Sequence, residues 1–393
     1  MANEELTWET TREVDYGISL GLFNNRITIE ADYYDKETSN LLLEVPLPST
    51  SGYQTAFKNL GLVSNVGREL ALNANIVENR DFNWNMNFNI TFNENKVLNL
   101  GGADEFFVTA IGDNLTNNDY IVKVGEPLGS IYGLDFDGVY TYDDFVEFEG
   151  MTDSEAASKL YADAAAVGDD GTAMLWSLNQ YTLKDGVPLN ALVTNGTYRP
   201  GMTKFKDVNG DGVINDDDRH IIGNTLPKHF GGMSQNLNFK NFDLSIQTSW
   251  SYGNDVYNKT LKKGIQTSVP WRNKFAIVND RWSPENPMGK FTAFSAGSSG
   301  DVNSAAYDTY IEDGSYFRIG NITLGFTLPK DLIRKIGVKN LRIYASMDNV
   351  HIWTKYSGWD PDVSVGNNQL TPGLDVDSYP RSRTFRTGIV ARF

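Results

Sequence analysis

The stretch from Asp207 to Asp218 has the residue types and spacing of a calcium-binding loop. Side chains that carry oxygen stand at places 1, 3, 5, 9 and 12 of the stretch, a glycine stands at place 6, and place 7 offers a backbone carbonyl. Asp218 stands where a bidentate glutamate is expected, and the sequence predicts no pair of flanking helices. The alternative is a turn rich in Gly, Asn and Asp that is held by its own backbone hydrogen bonds. The candidate ligands of this EF-hand-like loop are Asp207, Asn209, Asp211, Val213, Asn215 and Asp218.

Little in the sequence predicts catalysis. The three histidines, His220, His229 and His351, lie outside any His-Glu-x-x-His or Gly-x-Ser-x-Gly motif. The chain has no cysteine, which excludes thiolate catalysis, disulfides and Cys-ligated metal centres. Aspartate and glutamate are abundant enough for a glycosidase pair, but a sequence cannot place two carboxylates at the required separation. We therefore predict that the chain is not an enzyme and requires no cofactor, with Ca²⁺ in the 207–218 loop as the one candidate ion.

Aromatic and basic side chains in the connecting segments are candidates for contact with a substrate. Tryptophan rings can stack on sugar rings, although packing beneath loops is the commoner use of such rings. Arginines near the last strand can line a polar channel, or they can lie exposed at its rim. The candidate substrate-binding residues are Trp176, Trp271, Trp282, Trp359, Arg381 and Arg383.

Composition narrows the classes of protein. Lys and Arg total 34 against 50 Asp and Glu, and the net charge of −16 argues against binding to nucleic acid, whose phosphates are bound through cationic side chains. The mean hydropathy of −0.38 and the lack of a long apolar run exclude a membrane-spanning helix, but they do not exclude a membrane β-barrel. The first residues, Met1 to Glu5, contain no secretory signal. The chain is therefore expected to be either a soluble cytosolic protein or a fragment.

Strict alternation of apolar and polar residues predicts long strands. From Phe82 to Phe92 every second residue is apolar, and Asn or Thr fills the places between. Alternation also suits a soluble sandwich, but strands of about 10 to 14 residues match the length that crosses a bilayer, and aromatic residues gather near their ends. Nine strands are predicted near 13–23, 26–37, 62–79, 82–94, 229–240, 241–253, 312–328, 339–353 and 381–393.

The links between these strands alternate between short and long, as they do in outer-membrane barrels. The longest link, residues 95–228, is too long to be structureless and should fold as a cap, with a helix near 153–167 that starts at a Thr152–Glu155 capping box. With the short turns on the periplasmic side, Phe393 lies at the periplasmic rim.

Motifs along almost the whole chain, taken in order, resemble the C-terminal half of the SusC/RagA family of TonB-dependent outer-membrane transporters. Each motif alone is weak, and their order is specific. The matching stretches are Tyr33–Thr38, Pro46–Gly52, Lys206–Arg219, Arg281–Pro287, Gly314–Phe326, Lys355–Asp362 and Tyr379–Phe393.

The resemblance implies an all-β fold in which residues 1–393 are the C-terminal part of a 22-stranded transmembrane antiparallel β-barrel, with about nine strands and long extracellular loops. It implies a place in the outer membrane of a Gram-negative, Bacteroidetes-like cell, surrounded by outer-membrane lipid. Nine strands cannot close this barrel, and open edges expose unpaired backbone groups. We therefore expect the chain alone to be neither competent for transport nor stable in detergent.

The resemblance also implies a function, namely import of oligosaccharides, or of peptides in some members. The implied partners are a SusD-like surface lipoprotein and the TonB complex, which acts through an N-terminal plug that this chain lacks. Two rivals stay open: a soluble or cell-surface β-rich glycan-binding protein, and a surface glycosidase.

Overall fold

Nine long strands form one antiparallel sheet, here called the wall sheet, in which each strand pairs with the next along the chain. The computed structural model describes residues 6–46, 50, 52, 55–59, 61–110, 118–166, 180–192, 198–266, 273–293, 306–333, 337–365 and 368–393. The strands lie within a few residues of the predicted ones. They are Thr10–Leu22, Ile27–Ser39, Leu62–Glu78, Phe82–Asn99, His229–Phe239, Phe242–Tyr252, Tyr316–Thr327, Asn340–Thr354 and Thr384–Arg392.

Short turns join the strands at one end of the wall sheet. Asn24 and Asn25 adopt positive φ angles of 55° and 63°, a conformation that Asn tolerates better than most residues. At the second short turn the Asn79 side chain accepts a hydrogen bond from the backbone N–H of Phe82 at 2.8 Å. The first strand pairs only with the second, and the ninth only with the eighth, so both edges of the wall sheet are open among the described residues.

The two faces of the wall sheet differ as the alternation predicts. Apolar side chains on one face are exposed: Leu324 is 51%, Phe385 72% and Ile389 68% accessible. A soluble sandwich would pack these rows against a second sheet. The described residues provide no such cover, and the apolar face is free to meet lipid.

The opposite face carries hydrogen-bonded amides and hydroxyls. Asn85 donates to Asn75 at 2.8 Å, and Asn321 donates to Asp348 at 2.7 Å. These bonds cross between neighbouring strands, so the amides that make them have partners other than bulk water.

The buried core lies in the segments between the wall strands. Its largest fully buried side chains include Tyr120, Phe145, Phe205 and Trp282, all from the segments that connect the wall strands. The predicted capping box is present, because Thr152 N donates to Glu155 Oε2 at 2.8 Å and Glu155 N donates to Thr152 Oγ1 at 3.4 Å. The link after the fourth wall strand is therefore a folded layer.

Short elements build this layer. Two α-helices, Asp153–Ala166 and Lys259–Ile265, belong to the layer, whereas Lys330–Ile333 lies in the short link between the seventh and eighth wall strands. Among the described residues no helix is long and apolar enough to cross a membrane. The 3-10 helices are Tyr142–Asp144, Val146–Phe148, Asp216–Asp218, Ala276–Asp280 and Asp308–Tyr310. The remaining strands are Leu42–Pro46, Thr55–Asn59, Glu105–Val108, Tyr120–Lys123, Ser130–Leu134, Phe136–Val139, Leu189–Asn190, Thr203–Phe205, Val213–Ile214, His220–Asn224, Asp255–Asn258, Ala306–Tyr307, Ile311–Asp313 and Leu374–Asp375.

Close contact between wall strands at Gly231 gives a test of the pairing. A Cβ atom at this position would lie 2.2 Å from the backbone oxygen of Asn89 and 2.5 Å from the Trp250 ring. We expect Gly231→Ala to destabilise the wall sheet by about 1–3 kcal/mol, because a backbone atom cannot easily move away. The matched control is Gly320→Ala, where the nearest atom to the added carbon is the backbone oxygen of Gln247 at 3.7 Å.

The measurement is the amount of folded protein in the outer membrane and the temperature at which it loses its compact form on a gel. Equal values for the two variants would contradict the strand contact at Gly231.

Candidate functional site

A pocket of about 620 Å³ lies where the loops leave the sixth, seventh and eighth wall strands. A small sheet supports it, in which Asp255–Asn258 pairs antiparallel with Ile311–Asp313 and parallel with Leu374–Asp375. Two of these strands follow or precede wall strands within three residues, so the wall sheet positions the pocket directly. We call it the Trp359 pocket; its lining is Asn258, Thr260, Leu261, Phe275, Ile277, Thr309, Glu312, Ser357, Gly358, Trp359 and Asp375.

One carboxylate, that of Glu312, joins three segments of the pocket. It accepts hydrogen bonds from Asn258 Nδ2 at 2.7 Å, from Ser357 N at 2.7 Å and from Ser357 Oγ at 2.8 Å. Asn258 also caps the helix Lys259–Ile265, since its Oδ1 accepts from the N–H of Leu261 at 2.8 Å. The floor of the pocket is therefore fixed by bonds between residues far apart in the chain.

A second carboxylate, Asp375, is buried beneath the pocket, with 2% of its surface accessible. It accepts from Tyr356 OH at 2.6 Å, from Thr260 Oγ1 at 3.1 Å and from Ser378 N at 3.3 Å. Burial, with the hydrogen bond to Asp375, raises the pKa of the Tyr356 phenol well above its usual range. Tyr356 thus keeps its proton and stays a donor to Asp375 at neutral pH.

The rim of the pocket is apolar and exposed. Trp359 is 72% accessible, Ile277 51% and Phe275 46%. Of the described residues that line the pocket, none is Lys, Arg or His. The arrangement combines an exposed aromatic ring with hydroxyl, amide and carboxylate groups that are hydrogen-bonded to one another.

The residue after Trp359 is anchored to the wall by charge. Asp360, 6% accessible, lies 2.5 Å from Arg318 Nη2 of the seventh wall strand and 3.3 Å from Arg381 Nε. Arg381 also pairs with Asp362 at 2.5 Å. The predicted substrate residue Arg381 is thus engaged in holding the loop. Arg383 is exposed and donates through Nε to the backbone oxygen of Asn349 at 3.3 Å.

The tryptophans that the sequence predicts as substrate contacts differ in how far they are buried. Trp282 is completely buried, and its ring packs edge-on against Tyr142 with 5.4 Å between ring centres. It therefore has no surface with which to touch a substrate, and the packing alternative accounts for it. Trp176 and Trp271 lie outside the described residues. Of the predicted residues that the structure describes, Trp359 alone lines the pocket.

Backbone hydrogen bonds hold the predicted calcium loop closed. Asp207 accepts from Gly210 N at 2.7 Å and Gly212 N at 2.8 Å, and Asp218 accepts from Val208 N and Asn215 N, each at 2.8 Å. In the described part of the chain, no group of three or more His, Asp or Glu side chains is arranged to hold a metal ion. A carboxylate offers about four lone pairs, so these bonds leave acceptor capacity at Asp207.

Comparison with known proteins gives whole-chain matches, although no family model matches the chain. It is 32% identical over 404 residues to TonB-dependent receptor P3 of Formosa agariphila, covering all of this chain and 35% of that protein. It is 27% identical over 396 residues to TonB-dependent receptor SusC of Bacteroides thetaiotaomicron, covering all of this chain and 32% of SusC. The chain spans about a third of the length of the curated relatives it matches.

Solved structures show the same fold. The RagAB peptide transporter matches 99% of this chain and 36% of its own chain with a TM-score of 0.69 and 21% identity. The RagAB peptide importer in its open-open state matches the whole chain with a TM-score of 0.68 at 21% identity. The wall sheet and its loops thus resemble the C-terminal barrel part of these transporters.

Removal of the buried charge at Asp360 is the sharpest test of how the pocket is held. We expect Asp360→Ala to destabilise the loop by about 3–5 kcal/mol, because it leaves the buried Arg318 guanidinium without its charged partner. Asp362→Ala is the matched control. It removes an acid that is half-exposed and should cost about 1 kcal/mol or less.

The measurement is the rate at which a protease cuts the 355–383 segment in outer-membrane preparations. Equal cutting rates for the two variants would show that Asp360 does not anchor this loop.

Proposed function

We propose that this chain, which is similar over its whole length to TonB-dependent receptors including SusC and has the fold of the matching part of the RagAB transporter, forms the C-terminal part of the barrel of a TonB-dependent importer of oligosaccharides. The observation that carries the proposal is the wall sheet, whose one face is apolar and exposed while the other is polar and hydrogen-bonded. Lipid requires the first face and a watery passage requires the second. The complete barrel of 22 strands, with short turns facing the periplasm, is part of this proposal.

The chemistry of the polar face favours a neutral solute. Its central rows consist of Asn, Ser, Thr and Gln, and an arginine on this face has an acidic partner, as in the 2.5 Å pair of Arg342 with Asp243. Groups that both donate and accept hydrogen bonds can exchange bonds with the hydroxyls of a passing sugar chain. The central part of this face has few unpaired charges, and the acids Asp15, Glu30, Asp32 and Glu69 on the first three wall strands would repel an anionic solute.

We propose two partners for transport. A SusD-like surface lipoprotein would cover the folded loop layer, and the TonB complex would supply energy through a plug outside these residues. Import of peptides is the second candidate, and the fold likeness to the RagAB peptide transporter favours it.

Uptake by cells tests the proposal. Deletion of the gene is expected to abolish uptake of a fluorescent oligosaccharide, and the gene supplied on a plasmid should restore it. Uptake should also stop when the proton gradient across the inner membrane is collapsed. Unchanged oligosaccharide uptake with a loss of peptide uptake in the deletion strain would favour the second candidate and contradict the first.

We also propose that Ca²⁺ binds the 207–218 loop and makes it more rigid. The support is the spacing of oxygen ligands in the sequence, together with backbone bonds that already hold Asp207, Asn209 and Asp211 in a tight turn. Asp218 is 1% accessible and accepts hydrogen bonds from three backbone N–H groups. Its main role would therefore be to fix the shape of the loop, and it would not be a bidentate ligand of the ion.

Calcium titration tests this second proposal. Added Ca²⁺ should raise the unfolding temperature of the protein, and Asp211→Ala should remove the effect, because Asp211 stands at a ligand place. Asp217→Ala is the matched control, since Asp217 is an adjacent acid outside the ligand pattern. No change on adding Ca²⁺ would identify the stretch as a turn held by its own hydrogen bonds.

A further inference from the structure

We propose that the Trp359 pocket is a binding site for a neutral pyranose ring of the transported chain, stacked on the Trp359 indole above the hydroxyl and amide groups of the floor. This inference rests on the proposed function and adds a site and a ligand chemistry to it. The argument comes from the rigidity of the rim, the state of the carboxylates and the absence of cations among the described lining residues.

The residues on both sides of Trp359 are held in place, and its ring is exposed. On one side, Gly358 lies so close to Tyr356 that a Cβ atom would be 2.4 Å from that ring. On the other side, Asp360 is fixed by its ion pairs to Arg318 and Arg381. A large ring that is 72% accessible on such a fixed backbone is a preformed platform, and binding to it loses little conformational entropy.

Across the pocket, Phe275 and Ile277 extend the apolar surface. A pyranose ring has one face rich in C–H groups and hydroxyls around its edge. The apolar rim matches the face, while the Thr309 and Ser357 side chains supply polar groups for the edge. The volume of about 620 Å³ lies within the usual range for small-molecule sites.

The carboxylates of the pocket are poorly placed to bind a cation. Glu312 already accepts three hydrogen bonds, from Asn258 and twice from Ser357. Asp375 also accepts three and is 2% accessible, so it offers little surface to a ligand. The hydrogen bonds that these carboxylates accept hold the loops together.

An anionic ligand is disfavoured too, because the described lining has no Lys, Arg or His and contains two carboxylates. With anions disfavoured and both carboxylates already bonded to the loops, the ligand that we propose is neutral, polar at its edge and apolar on one face. A sugar ring has these properties, whereas the charged end of a peptide does not.

Binding measurements on the protein purified from outer membranes test the site. The probes are neutral glucose hexasaccharides that differ only in linkage, applied by equilibrium dialysis. For the hexasaccharide that binds the wild type, Trp359→Ala should weaken binding about tenfold and Trp359→Phe should weaken it less, since a ring is kept. The matched control Trp353→Ala removes an exposed ring on the wall sheet outside the pocket and should leave affinity unchanged.

The dependence of affinity on salt concentration distinguishes a neutral ligand from a charged one. The affinity for the hexasaccharide should stay constant between roughly 0.05 and 0.5 M NaCl, because no ion pair is formed. Salt-sensitive binding of a cationic peptide that is lost in Trp359→Ala would overturn the neutral-ring assignment.

Two further outcomes separate this inference from the proposed function. If Trp359→Ala binds as well as the wild type, or if the wild type binds none of the probes while the cells import oligosaccharide, the pocket assignment is wrong and import stands. If the wild type binds no probe and deletion of the gene leaves oligosaccharide uptake unchanged, both the pocket and the importer proposal fall.

Discussion

Within a bilayer, each backbone N–H and C=O group must find its partner inside the protein, and every outward side chain must tolerate hydrocarbon. In the wall sheet, the backbone groups of each strand bond to the wall strands before and after it in the chain. The outward side chains, such as Leu324 and Ile389, are apolar and exposed. Because side chains alternate along a strand, the same rule forces the other face to be polar. The strand pattern, the exposed apolar surface and the hydrogen-bonded polar surface thus have one cause.

This constraint also explains why the core lies in the loops. A sheet with lipid on one side and water on the other has no interior face to fill. Large aromatic residues such as Phe145, Phe205 and Trp282 pack instead between the connecting segments. Those segments are consequently rigid enough to hold a defined pocket, which loosely ordered loops could not do.

Sequence predicts the wall sheet well and the pocket poorly, for a physical reason. Alternation is a local property, so the row from Phe82 to Phe92 indicates a strand without knowledge of its partner. The pocket depends on bonds that Glu312 makes with Asn258 and Ser357, which lie 54 and 45 positions away, and no local pattern marks such pairs. Trp282 and Trp359 are the same residue type in similar surroundings, so sequence alone could not tell the buried ring from the exposed one.

The position of Arg381 shows that a residue chosen as a substrate contact can also have a structural role. Its guanidinium lies at the pocket loop but pairs with Asp360 and Asp362, both within that loop. Arg318 reaches Asp360 from the seventh wall strand, so the same carboxylate joins the pocket to the membrane-spanning sheet. Any outward swing of the Trp359 loop would have to separate this buried pair, and the free energy of that step is far larger than the thermal energy. The loop is therefore a fixed part of the wall and not a lid, and selectivity at this site has to come from the shape and polarity of the pocket.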